Sequence, residues 1–298
     1  YDLSMSSDGI LPKLYYSDTN ELLPNQENLY ISNDIFSVNN IQIDKHVEDA
    51  TVSLQINNPN HYLIQGIEID GLNIEITKNA IVGDVSVIEF NATPIYYFDS
   101  YKLNKIIYKI DESSESLEQD MSIKLDMIFY KTLSSYEDWQ NVSQTIYENY
   151  LLTNDIDFTG KTFNTKVVFN RLESADAENP YTISGMNLEL SGSTSYYGII
   201  TKISSSLKNV IFKDISISNT STSSNSYVNL ITYTFGEMKN VTFEDINLNL
   251  PSKKYVGIIG NASNTTIDTI TLNNVNVTGL IYVSGFIASY TNSATQYL

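Results

Sequence analysis

The stretch Leu207-Lys-Asn-Val-Ile-Phe-Lys-Asp-Ile-Ser-Ile217 returns as Met238-Lys-Asn-Val-Thr-Phe-Glu-Asp-Ile-Asn-Leu248 and again as Ile267-Asp-Thr-Ile-Thr-Leu-Asn-Asn-Val-Asn-Val277, at offsets of 31 and 29 residues. A second stretch keeps step with it: Gly198-Ile-Ile200, Asn229-Leu-Ile231, Gly257-Ile-Ile259 and Gly285-Phe-Ile287, offset by 31, 28 and 28. Met186-Asn-Leu-Glu-Leu190 fits 29 residues ahead of Ile215-Ser-Ile217. Self-similarity at such a period defines a repeat architecture. Each unit is too small to bury its own apolar face and is stabilised by stacking on its neighbours.

Within a unit the apolar residues alternate, and then the phase slips. Val210 and Phe212 point one way, Lys213-Asp214 intervene, and Ile215 and Ile217 resume. Alternation is the strand period, and a slip at polar residues lets a coil turn a corner with its apolar side still inward. Ankyrin and tetratricopeptide repeats need helical periodicity, which is absent, and no Leu-rich consensus recurs. The pattern predicts a parallel β-helix over residues 133–298, winding right-handed and cut short at its C-terminal end. Asp214, Asp245 and Asn274 hold the same place in their repeats, just before the second strand. Stacked in register they would form a structural ladder, bonding backbone N–H groups that the corner leaves unpaired. The functional alternative is an acidic pair for catalysis or for a cation.

Residues 1–132 predict an antiparallel, sandwich-like region of irregularly spaced strands. Ala50-Thr-Val-Ser-Leu-Gln-Ile56, Ile67–Asp70 and Leu72–Ile76 alternate, and Val85–Phe90, Lys105–Ile110 and Ser122–Tyr130 are further strands. Asn57-Asn-Pro-Asn60, Gly83-Asp84 and the acidic, serine-rich Asp111–Asp120 separate them as turns. One short capping helix is expected from Tyr136 to about Ile146. Ser134 or Ser135 would cap it, Glu137 and Asp138 would lie in its first turn, and Trp139, Val142 and Ile146 would share a face.

Composition narrows the function. The chain carries 35 acidic and 17 basic residues, a formal charge of −18, which disfavours nucleic acid and anionic lipid. The bland reading of that charge is solubility; a surface gathering Ca²⁺ is the sharper one. No cysteine is present, so disulfides, zinc fingers and thiol nucleophiles are excluded together. Tyr, 22 residues against one Trp, suits half-buried strand surfaces. No apolar run reaches the roughly 20 residues that span a bilayer, and no signal peptide opens the chain. Both ends read as cut from something longer.

Gly160-Lys-Thr162 lacks the partner glycine of a phosphate-binding loop, and no Gly-x-Ser-x-Gly elbow occurs. His46 and His61 are the only histidines. Asp155/Asp157, Glu173/Asp176/Glu178 and Glu244/Asp245 are carboxylate pairs of the kind that flank a sugar bond in glycosidases, with Arg171, the only arginine, as the candidate basic partner for a lyase. Asn-x-Ser/Thr at Asn91, Asn141, Asn240, Asn261 and Asn276 follows from an Asn-, Ser- and Thr-rich composition rather than from glycosylation.

Trp139, then Asn149-Tyr-Leu-Leu-Thr-Asn-Asp-Ile-Asp-Phe-Thr-Gly160, then Tyr181-Thr-Ile-Ser-Gly-Met-Asn-Leu188, followed by the Lys-Asn-Val and Gly-Ile-Ile repeats, resembles the non-catalytic N-terminal region of Gram-positive zinc metalloproteases of the immunoglobulin A1 protease type. Related repeats occur in bacterial adhesins. The resemblance covers residues 135–298, with a loose likeness upstream at Asp8–Tyr15 and Asn57–Asn60. Those proteases carry His-Glu-x-x-His. Neither His46 nor His61 opens that motif, so no catalytic residue is carried over. The resemblance implies a non-enzymatic scaffold of a secreted or cell-surface bacterial protein. It would be monomeric, without cofactor or metal, and would bind host glycoprotein or glycan for a downstream protease domain. A β-helix polysaccharide lyase or glycosidase and a ligand-free stalk are the rivals.

Overall fold

The computed structural model describes residues 3–4, 13–14, 35–43, 47, 50–190, 196–219 and 227–291. The described residues are all-β apart from one short helix. A short antiparallel pair, β1 (Leu3–Ser4) with β2 (Lys13–Leu14), comes first. Then follow β3 (Ser37–Ile43), β4 (Ala50–Asn57), β5 (Leu63–Asp70), β6 (Leu72–Val82), β7 (Val85–Pro94), β8 (Tyr101–Lys109) and β9 (Leu117–Leu125). They form two antiparallel sheets, ordered β3-β4-β7-β6 and β5-β8-β9. Alternation does what the sequence predicts: Val52, Leu54 and Ile56 of β4, Ile88 and Phe90 of β7, and Leu103 and Ile106 of β8 all enter one core.

The turns explain the strand ends. Asn58 is fully buried, accepts from Tyr62 N–H at 3.0 Å, and donates to Tyr62 O at 2.8 Å and Ser86 Oγ at 2.9 Å. The acidic stretch at 111–120 is turn only as far as Ser116, because Gln119 and Met121 are buried on the strand period and draw Leu117 onward into β9. Asp111 closes the tip, accepting from Ser113 N–H at 2.9 Å. The strand expected over Ser122–Tyr130 ends instead at Leu125, beyond which Met127 and Phe129 are buried outside any strand.

From β10 (Lys131–Leu133) onward every pairing is parallel. After α1 (Tyr136–Gln140) come β11 (Asn149–Leu152), β12 (Ile156–Asp157), β13 (Val167–Ser174), β14 (Thr182–Ser184), β15 (Asn187–Leu190), β16 (Tyr196–Asn219), β17 (Tyr227–Asn249), β18 (Tyr255–Thr278), β19 (Tyr282–Val283) and β20 (Ile287–Thr291). They build a parallel β-solenoid of about four turns. Ser135 caps α1, its hydroxyl accepting from Asp138 N–H at 3.1 Å. The helix stops at Gln140, short of the expected Ile146. Ser143 Oγ accepts from Thr145 and Ile146 N–H and holds the chain in a turn, leaving Ile146 exposed. Trp139 is buried against Phe158 and Phe169, and its indole N–H donates to Asn164 O at 3.0 Å, closing the first turn of the stack.

A straight strand as long as β16 would run roughly 80 Å at about 3.3 Å per residue. It bends instead at residues with positive φ. These are Asn209 and Asp214 in β16, Asn240 and Asp245 in β17, and Thr269 and Asn274 in β18, all between 51° and 55°. Asn and Asp tolerate this left-handed conformation better than other side chains. Backbone pairing skips each such residue and resumes beyond it, so the corners stack. Gly236, at φ 77°, makes a further corner in β17, where a Cβ would come within 2.0 Å of Ser205 O. Between corners the repeats align as the sequence does, giving the columns Phe212–Phe243–Leu272 and Ile215–Ile246–Val275. The Phe212 and Phe243 rings stack 5.4 Å apart at 8°.

A polar clamp joins sandwich to solenoid. Arg171 Nε donates to Asp99 Oδ1 at 2.6 Å, Asn170 Nδ2 donates to the same oxygen at 3.0 Å, and Ser205 Oγ donates to Asp99 Oδ2 at 3.1 Å. Beside it Tyr130 donates to Glu173 at 2.9 Å and Asn149 N–H to Tyr97 O at 3.1 Å. No helix among the described residues is long and apolar enough to cross a membrane.

Candidate functional site

In the column Gly198–Asn229–Gly257 one coil carries a side chain where its neighbours have none. Asn229 is fully buried, and its Oδ1 accepts from Gly257 N–H at 3.1 Å. That bond fixes the amide's orientation, so Nδ2 faces the other way. It lies over Gly260, where a Cβ would approach it to 2.4 Å. The glycine is what leaves room for the amide.

Among the described residues Asn229 Nδ2 has no hydrogen-bond partner, and neither has the buried Oδ1 of Asn261 on the next coil. Both residues line one open cleft of about 380 Å³, with Thr232, Tyr233 and Ser289. Its rim carries a tyrosine stack: the Tyr227 and Tyr255 rings lie 3.9 Å apart at 6°, and Tyr282 continues the column at 4.6 Å and 13°. A buried polar atom without a partner costs about 1–3 kcal/mol. A donor and an acceptor left so in one cleft, beside the edges of stacked tyrosines, are complementary to hydroxyls, which both donate and accept. The cleft falls in the volume range of small-ligand sites.

The sequence pointed elsewhere. Asp214, Asp245 and Asn274 stack at one corner, at φ 52°, 53° and 51°. The bond joining the last two runs between side chains, Asn274 Nδ2 donating to Asp245 Oδ1 at 2.5 Å, rather than to a corner N–H. The left-handed backbone turns the corner by itself, leaving the side chains to bond one another. Lys213 lies beside the column and pairs with Glu244 at 2.6 Å. The Glu244 hydrogen bond and charge raise the Lys213 pKa, with smaller contributions from Asp214 and Asp245. The acidic corner thus has a cation of its own.

Of the other carboxylates, Asp155, Asp157 and Asp176 hold backbone N–H groups, and Glu173 accepts from the side chains of Tyr130 and Arg171. Asp155 accepts from Thr182 N–H at 2.7 Å, and Asp157 accepts from the Thr159 hydroxyl and N–H. Those Thr159 bonds hold Asp157 below the usual carboxylate range, and the Asn179 N–H does the same for Asp176. A general acid needs the opposite shift. Arg171 is bound into the clamp with Asp99 and Glu173. His61 is exposed beside Asp84 at 3.2 Å, and His46 lies outside the described residues. At three of the Asn-x-Ser/Thr sites the amide nitrogen donates within the fold: Asn141 to Glu137 O, Asn240 to Asn209 and Asn276 to Asn247. Among the described residues, no three of His, Asp and Glu converge as metal ligands.

The cleft was legible in one respect only. Asn229 stands where Gly198, Gly257 and Gly285 align, and a polar side chain in a glycine column has to be housed somewhere. Its orphaned nitrogen could not be read, since that depends on which coil atoms face it.

Fold and cleft define a class: a β-solenoid behind an antiparallel sandwich, with a polar, tyrosine-rimmed cleft on its side. Compared with protein families, with curated proteins and with solved structures, the chain finds no match.

Proposed function

We propose that this chain is a non-catalytic recognition region of a secreted or cell-surface bacterial protein. It binds the glycan of a host glycoprotein in the solenoid cleft and presents it to an activity elsewhere in the parent, a zinc metalloprotease of the immunoglobulin A1 protease type. The reading rests on one observation, the pairing of the unpartnered Asn229 nitrogen with the unpartnered Asn261 oxygen under the tyrosine stack. A sugar hydroxyl accepts from the first and donates to the second, and the sugar's C–H groups meet the edges of the stacked Tyr227 and Tyr255 rings. The resemblance over residues 135–298 supplies the context.

Calorimetric titration with lactose, a neutral mucin-type disaccharide and desialylated mucin tests it. Binding is expected to at least one of them. Asn261→Ala and Asn229→Asp should weaken it about tenfold or more, the second because a carboxylate keeps the Gly257 bond but loses the donor. Asn261→Ala should melt within about 2 °C of the parent, since its Oδ1 has no bond to lose. No binding by the parent chain, or binding indifferent to both changes, overturns the reading. Cleavage of immunoglobulin A1 or mucin that survives repurification would contradict its non-catalytic part.

A further inference from the structure

We infer that the sandwich carries a second binding site, independent of the solenoid cleft, for an acidic sugar. The segment between β7 and β8 turns Tyr96 and Phe98 to solvent, 48% and 42% exposed, with their rings 5.6 Å apart at 19°. Between them Tyr97 is buried, and next to Phe98 stands Asp99 of the clamp. Hydrogen bonds fix the backbone that carries the pair. Tyr101, itself buried, donates from its hydroxyl to Tyr96 O at 2.6 Å and accepts at the same oxygen from Phe98 N–H at 3.4 Å. Ile95 N–H donates to Gly71 O at 2.8 Å. A fixed aromatic face left in water is a platform for a ring, because burying it would have gained about 25 cal/mol per Å².

The same rings line an open cleft of about 600 Å³ with Lys102, Lys124, Ser100 and Ser122, and with one carboxylate, Asp70, against the two ammonium groups. Lys102 and Lys124 are direct cross-strand partners on β8 and β9. Like charges directly opposite are unfavourable in a sheet. Such a pair stands out in a chain whose acidic residues outnumber its basic ones 35 to 17. Lys124 is pinned by Asp126 at 2.6 Å, an exposed pair of little energetic weight. Lys102 has no ion-pair partner among the described residues, although Asp70 is its register partner on β5. A carboxylate between the two ammonium groups relieves their repulsion. A pyranose carrying that carboxylate stacks on Tyr96 and Phe98 while its hydroxyls meet Ser100 and Ser122. The need for ring and charge together favours an acidic sugar over an acidic peptide.

The site is tested in the full chain bearing Asn261→Ala, so that the solenoid cleft does not contribute and the two readings fail separately. Galacturonate, glucuronate and 3′-sialyllactose are titrated, each against its uncharged counterpart: galactose, glucose and lactose. At least one acid should bind and outbind its neutral partner by about tenfold, less so at high salt. Lys102→Gln with Lys124→Gln should remove that preference, and Tyr96→Ala with Phe98→Ala should remove binding altogether. All four side chains are exposed, so melts should stay near the parent's. The inference is overturned if no acid binds, if the preference for the acid survives the lysine changes, if binding survives the ring changes, or if a hexaglutamate peptide binds as well as the sugar.

Discussion

Asp245 stands at φ 53° with its carboxylate one coil from Asp214 and its Oδ1 holding the Asn274 amide. Asn in its place keeps the acceptor, tolerates the left-handed backbone and turns a second donor toward Asp214. Leu loses the bond and meets the left-handed penalty of roughly 1–2 kcal/mol. Asp245→Asn should therefore melt at or above the parent temperature at neutral pH, and Asp245→Leu should lose about 2 kcal/mol. Equal destabilisation by both would mean that the charge itself matters, and a bound cation would then explain the corner better than a ladder. At this scale the register was legible, since Asp214, Asp245 and Asn274 align by counting. The direction of the bonds was not, because whether a side chain reaches a backbone N–H or its neighbour depends on the backbone angle at the corner.

At the scale of elements, repetition carried most of the reading. Apart from the positive-φ corners, which the pairing skips, every column from Leu207–Met238–Ile267 to Ile217–Leu248–Val277 pairs in the predicted register. What failed were ends: α1 stops early because of a Ser143 turn, and β9 begins inside the acidic stretch. Those boundaries are set by single hydrogen bonds and by a partner sheet, which local pattern does not reveal. Stacking makes the layers unequal in a measurable way. Phe243 lies between coils, fully buried and stacked on Phe212, whereas Leu272 in the next copy is 45% exposed. Phe243→Ala should lose about 3–5 kcal/mol and Leu272→Ala about 1 kcal/mol, read from urea unfolding. Similar losses at both would contradict a core built layer on layer.

Across the whole molecule, Arg171, which the sequence offered as a candidate basic residue for catalysis, is the centre of the clamp between sandwich and solenoid. Partial burial works against the ionised form of Asp99, but the Arg171 hydrogen bond and charge, with Asn170 and Ser205, leave its pKa below the usual value. A carboxylate depressed in the folded state stabilises at neutral pH, and that contribution is lost as pH falls through the folded pKa. Asp99→Asn should thus lower stability at pH 7 by about 1–2 kcal/mol, discounted for the exposure of both partners, with the difference closing as pH falls through the lowered folded pKa of Asp99. A deficit that persists unchanged at acid pH would assign the effect to packing rather than to charge.

The most direct test of recognition at the solenoid cleft follows the Asn229 side-chain amide by ¹H–¹⁵N NMR while a glycan from the neutral panel is titrated. The account predicts that the Asn229 NH₂ resonances, and those of Asn261, shift in a saturable manner while Asn58 NH₂, buried in the sandwich, stays still. Saturable shifts elsewhere with Asn229 and Asn261 unmoved, or no shifts at any glycan concentration, would contradict it.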